Sequence, residues 1–270
     1  MQDKDKKKIQ KTFNTVAPQY GLGASRFFHS SGEIMAYLLN LRGDESVLDV
    51  ATGTGATALP LARRLPYGQV TAVDFSSAML EQAEISAAKA GLNNIRFQTH
   101  DMTQLPFDSH SFDHATCSFG LFFIEDMSTT LRHIANTVKP GGKVLISGFC
   151  GESFQPMAQL FLERLRHYDV EVPEVIGWKR MAEVDQLHDI FNQAGFDDIN
   201  IERRSIGYHI DTEGWWDVVW NAGFRGLVEQ LGDNITAFKQ AHLNELLPVC
   251  DARGLWLEID VNLTYGTKSI

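Results

Sequence analysis

The sequence predicts an α/β fold: a doubly wound, mostly parallel sheet with an antiparallel last strand and a helical cover. Three observations predict it. Between residues 47 and 149, short apolar runs rich in β-branched residues alternate with helical segments; that alternation is the pattern of a parallel sheet with helices on both faces. The first run ends in a glycine turn, Thr52-Gly53-Thr54-Gly55, that opens a helix. Near the end of the chain, Leu257, Ile259, Val261, Leu263 and Tyr265 alternate with Glu258, Asp260, Asn262 and Thr264. Such alternation reads as a half-buried strand. Following a sixth strand late in the chain, it is expected to run antiparallel, inserted near the sheet edge.

The elements follow in order. Residues 1–12 are polar and lysine-rich, and read as a solvated, partly disordered leader. Residues 13–40 look helical, with breaks at Gly21, Gly23 and residues 30–32. Residues 47–51 form the first strand, and 56–65 a helix stopped before Pro66. Residues 69–74 are a strand, and 76–90 a helix that Gly91 ends. Strands over 95–99 and 112–117, a helix over 127–138, and a strand over 143–149 entered through Pro140-Gly141-Gly142 complete the alternation. Thereafter helices are expected over 153–169 and 184–194, a strand over 199–203, and a long helical stretch over 213–250. The chain divides into an N-terminal helical cover (1–40), a core (41–150), and a part (151–270) that completes the sheet and inserts helices over its active end.

Composition limits the function classes. The chain has 270 residues, 44% hydrophobic and 21% charged, with a net charge of −10. This is an ordinary globular mix. An acidic body argues against a large nucleic-acid surface, which needs a basic stripe. Cys117, Cys150 and Cys250 are sparse and widely spaced, so reduced thiols in a cytoplasmic protein are expected. No apolar run is long enough for a transmembrane helix, and the lysine-rich start is too polar for a signal peptide. No His, Cys and Asp cluster has metal spacing, so no metal is expected.

Ligands of such sheets sit beyond the carboxyl ends of the strands. Gly53, Gly55 and Ala58 alone fit a weak dinucleotide pattern. Asp74, ending the second strand, suits ribose hydroxyls in a nicotinamide or a methyl-transfer enzyme alike. Asp49 separates the two: a carboxylate beside the loop repels a pyrophosphate and attracts a cationic ligand with an amino group.

With these residues the chain resembles the class I S-adenosylmethionine-dependent methyltransferases, whose core is Rossmann-like. Four motifs match in order across roughly residues 45–148: DVATGTG (49–55), VDFSSAML (73–80), DMTQLPF (101–107) with SFD (111–113), and VKPGGKVLI (138–146). The loop motif and FNTVAPQY (13–20) look like the ubiquinone/menaquinone C-methyltransferases and related small-molecule enzymes. Ala51 stands where many relatives have glycine.

The resemblance implies S-adenosylmethionine as cofactor, leaving as S-adenosylhomocysteine, and a role for each matching residue. Asp49, with the loop Ala51, Thr52, Gly53 and Gly55, would hold the methionine end. Asp74 would bind the ribose, and Phe75 and Met79 would pack on the adenine. Asp101 would accept from the adenine amino group, with Met102 alongside. Ser118 and Phe119 would face the methionine end and the acceptor, and Tyr20 would close over the donor. Met79 and Tyr20 read equally well as core or cover packing, and Asp101 also as a turn acid.

Methyl transfer from a sulfonium is an in-line displacement in which the protein aligns and desolvates the partners. His29, His209 and Tyr20 are the cover residues available as a base, and the sequence does not choose among them. Trp216, Trp220 and Phe224 share a helical face. Core packing is their default; the alternative is an aromatic wall for the acceptor, with Arg225 facing a carboxylate or phenolate. Cys117-Ser118-Phe119-Gly120 replaces the Asn/Asp-Pro-Pro-Tyr element of adenine and glutamine amide methylation. The reading is therefore a small-molecule acceptor methylated on carbon or oxygen, such as a quinol or phenol, with no nucleic acid. An RNA or protein methyltransferase and a non-catalytic donor-binding module are the alternatives. The oligomeric state is open, with a homodimer through residues 213–250 as one arrangement.

Overall fold

The computed structural model describes residues 3–269, with side chains from Lys6 onward. Strands β1 (Ser46–Val50), β2 (Gln69–Asp74), β3 (Ile95–Thr99), β4 (His114–Ser118) and β5 (Lys143–Phe149) run parallel. After them come β6 (Ile199–Ser205), β7 (Tyr208–Ile210), β8 (Leu255–Leu257) and β9 (Asp260–Thr267). Among the described residues, seven strands make one sheet in the order β3-β2-β1-β4-β5-β9-β6, and β7 pairs with β8 apart from it. As expected, β9 is antiparallel and lies between β5 and β6.

The helices are α1 (Asp3–Val16), α2 (Phe27–Leu38), α3 (Ala58–Arg63), α4 (Ser77–Lys89), α5 (Met127–Thr137), α6 (Met157–Arg166), α7 (Val184–Ala194), α8 (Thr212–Asn221), α9 (Arg225–Val228) and α10 (Ile235–Leu246). Their ends obey local chemistry. Ser76 Oγ accepts from Met79 N at the start of α4. A Glu183/Gln186 capping box opens α7, and Gly195 closes it in the left-handed region at φ 96°. Helix α2 packs on β4 and β5, α3 on β2 and β3, and α7 on β6. Helices on both faces bury β1, β2, β4 and β5 nearly completely, as in parallel sheets covered on both sides.

Three expectations are corrected. The lysine-rich leader is not loose: from residue 3 it is the helix α1, tied to the sheet end by Lys6, Gln10 and Asn14; Met1 and Gln2 lie outside the described residues. The stretch 213–250 is broken into α8, α9 and α10, with Gly232 at φ 53° between the last two. The strand over 257–265 is not continuous and not half-buried. Leu257 pairs with Tyr208 in the small sheet, and the chain joins the main sheet only at Asp260. Because β9 is internal, Asn262 is 3% and Thr264 0% exposed. Asn262 is accommodated by donating to Ala182 O at 2.9 Å and accepting from Cys150 Sγ at 3.2 Å. Among the described residues, no helix is long and apolar enough to cross a membrane.

Candidate active site

The strand order reverses between β1 and β4, so their carboxyl ends part and leave a crevice. The β1 end turns sharply. Ala51, Gly53 and Gly55 have φ of 54°, 55° and 87°, left-handed values that glycine adopts freely and alanine at a cost. A Cβ on Gly55 would stand 2.4 Å from Leu59 Cδ1, so Gly55 lets the loop run into α3. Phe119 at the β4 end is also left-handed, at 51°. Strained backbone at two facing strand ends concentrates where a ligand is gripped.

Ala51, Thr52, Gly53, Asp74, Phe75, Met79, Asp101, Met102, Ser118 and Phe119 line one cavity, with Tyr20 at its edge. Asp74 Oδ2 accepts from Gly53 N at 2.8 Å and Oδ1 from Ser76 N at 2.9 Å. Burial pushes its carboxyl up to about 6, against the pull of those N–H groups. Met79 is 1% exposed and packs on Val16 and Ala17, so it is core and cavity wall at once. Burial and the Asp74 carboxylate raise the Tyr20 phenol above its ordinary range.

Two expected residues stand behind the wall instead of on it. Gly55 serves the turn. Asp49 is fully buried, and its two oxygens accept from Thr52 Oγ1 and Thr116 Oγ1, each at 2.6 Å. Burial raises its carboxyl to about 6, with both hydroxyls opposing. Enclosed by Thr116 of the neighbouring strand and Thr52 of the loop, it anchors the loop from behind and places a carboxylate beneath it.

Sequence reasoning expected a cover from residues 1–40 but missed the part its first twelve residues play in it. Helix α1 supplies Lys6, Ile9 and Phe13 to this cavity. Lys6 Nζ donates to Asp101 Oδ2 at 2.7 Å, Gln10 Nε2 to Phe75 O at 2.6 Å, and Ser76 Oγ to Asn14 Oδ1 at 2.7 Å. Burial raises the Asp101 carboxyl, but Lys6 and the two Thr103 donors outweigh it, and the net shift is downward. The amphipathic spacing of residues 6, 10, 13 and 14 was the available signal. Lys6→Ala unties the roof from Asp101. A partly exposed pair of this kind stabilises by up to about 1 kcal/mol, so donor dissociation in stopped flow should quicken roughly three- to fivefold. An unchanged rate would show that α1 does not hold the donor in.

A second cavity of about 370 Å³ adjoins the first. Ile9, Phe13, Tyr20, Phe28, Phe119 and Phe123 belong to both walls. The partition is stacked: Tyr20 on Phe28 at 4.7 Å between ring centroids, and Phe119 on Phe149 at 4.3 Å. Phe28 meets Phe119 edge-on at 5.3 Å. Phe149, Phe154, Trp178 and Phe224 extend the aromatic lining.

The remaining candidates lie elsewhere. His29 is exposed and lines neither cavity; its ring sits near Gly21 and Glu33. His209 pairs with Asp251 at 3.1 Å in the small sheet. Helix α8 presents Val218 to the second cavity, and Ala222 joins it just past the helix end. Trp216 and Trp220, two residues to either side of Val218, line neither cavity. Trp216 stacks on Trp220 and packs against Phe238, and Arg225 lies 3.6 Å over Trp220 while pairing with Glu229. Trp216, Trp220 and Arg225 thus pack on one another and line neither cavity, whereas Phe224 is on the chamber wall. Trp216→Ala should therefore cost about 3 kcal/mol of stability and leave the acceptor KM of the folded enzyme unchanged. A raised KM with normal stability would restore the wall. Among the described residues no group of acidic, His or Cys side chains could hold a metal.

The donor implied by the motifs can be tested against this geometry. Thr57 lines the first cavity, though its buried Oγ1 has no hydrogen-bond partner among the described residues. The wall carries Asp74 and Asp101, and among the described residues its one lysine, Lys6, is spent on Asp101. That set suits ribose hydroxyls, an amino group and a sulfonium, and its carboxylates repel a pyrophosphate.

Comparison with known proteins agrees. Residues 47–142 match a family model described as a methyltransferase domain. The ubiquinone/menaquinone biosynthesis C-methyltransferase UbiE of Geotalea daltonii is 34% identical over 180 residues, covering 63% of this chain and 73% of that protein. A demethylmenaquinone methyltransferase of Geobacillus kaustophilus is 30% identical over 186 residues, covering 63% and 78%. In structure, the YcgJ protein of Bacillus subtilis aligns with a TM-score of 0.61 at 22% identity, over 90% of this chain and 99% of that one, and shows the shared fold. The chain belongs to the class I S-adenosylmethionine-dependent methyltransferases, with S-adenosylmethionine as its methyl donor. Within that family it resembles the ubiquinone/menaquinone C-methyltransferases.

Proposed function

We propose that the enzyme methylates a small, planar, apolar acceptor, a quinol or phenol, on carbon or oxygen, in the cytoplasm. The observation that carries this is the aromatic chamber of about 370 Å³ sharing a wall with the donor cavity. Rings on that partition place apolar faces on both reactants and exclude water from the line of transfer. S-adenosylmethionine supplies a methyl group already activated on sulfur. Asp74 takes the ribose hydroxyls, Asp101 and Met102 the adenine, and the Ala51–Thr54 loop with Thr57 the methionine end. Asp49 holds that loop, and its charge favours the cationic donor. Residues 1–40 and 151–270 form the cover that selects the acceptor.

No carboxylate or imidazole lines the second cavity among the described residues, and the Tyr20 phenol is held protonated at neutral pH. The chamber therefore suits an acceptor that is already nucleophilic, such as an electron-rich ring carbon or a phenolate. The names of the relatives point the same way. An RNA or protein acceptor is disfavoured by the net charge of −10 and by the inward use of Lys6. The three cysteines are free, in keeping with a reducing compartment.

The test is a mass-spectrometric methylation screen with purified enzyme and S-adenosylmethionine. It offers reduced naphthoquinols and benzoquinols, simple phenols, total RNA and basic peptides. Methylated quinol or phenol supports the reading, and methyl incorporation confined to RNA or peptide defeats it.

A further inference from the structure

The two cavities share a wall, and that wall is aromatic. Among the described residues, Ile9, Phe13, Tyr20, Phe28, Phe119 and Phe123 line both. None of them is an acid. Asp74 and Asp101 line only the first cavity, and Asp49 is enclosed behind the loop by two hydroxyls. A methyl passing from donor to acceptor has to cross the shared wall. The donor's sulfur, which carries a full positive charge, therefore has to lie against it. This placing rests on the proposed reading of the second cavity as the acceptor site.

Three of the rings stand at the donor loop. A Cβ on Gly53 would be 3.8 Å from Tyr20 Cε1, so the Tyr20 ring borders that loop. Phe119 precedes Gly120, whose added Cβ would stand 2.7 Å from Ala51 Cβ, so the β4 end meets the same loop. Phe28 links the two rings, stacked on Tyr20 at 4.7 Å and edge-on to Phe119 at 5.3 Å. Phe119 is firmly placed. It stacks on Phe149 at 4.3 Å, and its N–H donates to Ser147 O at 3.1 Å. At 5% exposure it is shut off from bulk water. Its φ of 51° is one that a phenylalanine adopts at a cost, and such strain gathers at ligand clamps.

We infer that this arc of rings, Tyr20, Phe28 and Phe119, recognises the donor's charge: their π-electrons hold the sulfonium, and so distinguish the methyl donor from the demethylated product. An aromatic ring attracts a cation through its quadrupole, and the attraction grows where water is excluded. In the transfer the acceptor's electron pair forms the new bond to the methyl carbon. The carbon–sulfur pair stays on sulfur, which becomes a neutral thioether. The rings then lose their cation, and the product is held less tightly than the donor was. Asp74 and Asp101 cannot supply this distinction through the ribose and adenine, which donor and product share.

The experiment is calorimetric titration of the full chain with S-adenosylmethionine and with S-adenosylhomocysteine. It compares wild type, Phe119→Leu, Phe28→Leu, and chains carrying mono-, di- or trifluorinated phenylalanine at position 119. Fluorine drains the ring's π-face while nearly keeping its shape. Each leucine variant should weaken S-adenosylmethionine roughly five- to tenfold and leave S-adenosylhomocysteine within about twofold. The fluorinated series should weaken S-adenosylmethionine stepwise with each fluorine and leave S-adenosylhomocysteine flat. Rings that only pack would weaken both ligands equally in the leucine variants. That outcome, with no dependence on fluorine, overturns the inference and leaves the chamber reading standing. Unchanged affinity for both ligands in every variant puts the sulfur away from the shared wall, and overturns the inference together with the chamber reading beneath it. If a leucine variant does not fold, the fluorinated series decides: S-adenosylmethionine affinity that is flat across it overturns the inference.

Discussion

Asp74→Ala should weaken S-adenosylmethionine binding at least 100-fold in calorimetric titration, and Asp74→Asn about tenfold. A carboxylate accepting from two ribose hydroxyls makes charged hydrogen bonds of about 1.5–3 kcal/mol each, and 1.4 kcal/mol is a factor of ten. The alanine also strips the Gly53 and Ser76 N–H groups of their acceptor, so the loop loses its anchor. Asparagine keeps one oxygen and loses the charge. Wild-type affinity in Asp74→Ala would remove Asp74 from the donor site.

The same carboxylate, with Asp49, makes the donor site pH-dependent. Both carboxyls are raised from 3.8 to about 6 by burial. A carboxyl raised on folding stabilises the unliganded fold below its unfolded value, and that contribution is lost as pH rises through the folded value. The window is therefore about pH 4 to 6. The donor is cationic and needs the charged carboxylates, so its affinity should be flat above pH 7. Below about 6 it should fall, by up to tenfold per pH unit for one proton taken up. The thermal shift induced by S-adenosylhomocysteine, which keeps the ammonium and ribose, should shrink from pH 7.5 to pH 5. A constant shift across that range would contradict the raised values.

The second large effect is expected in the packing of α2 behind the donor loop. Gly32→Ala should destabilise the protein by about 3 kcal/mol and lower its Tm by roughly 6–12 °C. A Cβ on Gly32 would stand 2.0 Å from Ala56 O and 2.7 Å from Ala56 C. Both are backbone atoms of the donor loop, so α2 must move away. That helix carries Phe27 and Phe28 into the chamber and packs on β4 and β5, so affinities for donor and acceptor should fall together. Gly223→Ala is the contrast: nothing lies within 4 Å of its added Cβ, and its Tm should stay within about 1 °C of wild type. Equal Tm values for the two variants would show that the α2 contact yields without cost.

The donor half was legible in the chain because its determinants are local. Strand, tight turn and helix are adjacent in sequence, and DVATGTG and VDFSSAML carry the turn residues and the acid together. Periodicity and glycine punctuation therefore determined the alternation β1 to β5 and the antiparallel β9, and the motifs assigned the methyl donor. The structure placed Ala51, Thr52, Gly53, Asp74, Phe75, Met79, Asp101, Met102, Ser118, Phe119 and Tyr20 on one wall. What the sequence misjudged depended on which face of an element meets which neighbour. Asp49 ends an apolar strand like Asp74, yet only the tertiary structure shows Thr52 and Thr116 enclosing it. The lysines of residues 4–11 read as a solvated leader because helical spacing says nothing of a partner 95 residues away, such as Asp101 for Lys6. For Trp216 and Trp220 the sequence offered core packing or an acceptor wall, and only the rotation of α8 about its axis, which gives the cavity Val218, decided between them. The aromatic chamber gathers Phe28, Phe119, Phe149, Phe154 and Trp178 from five separate segments. No local pattern announces such a convergence; long-range packing alone decides it.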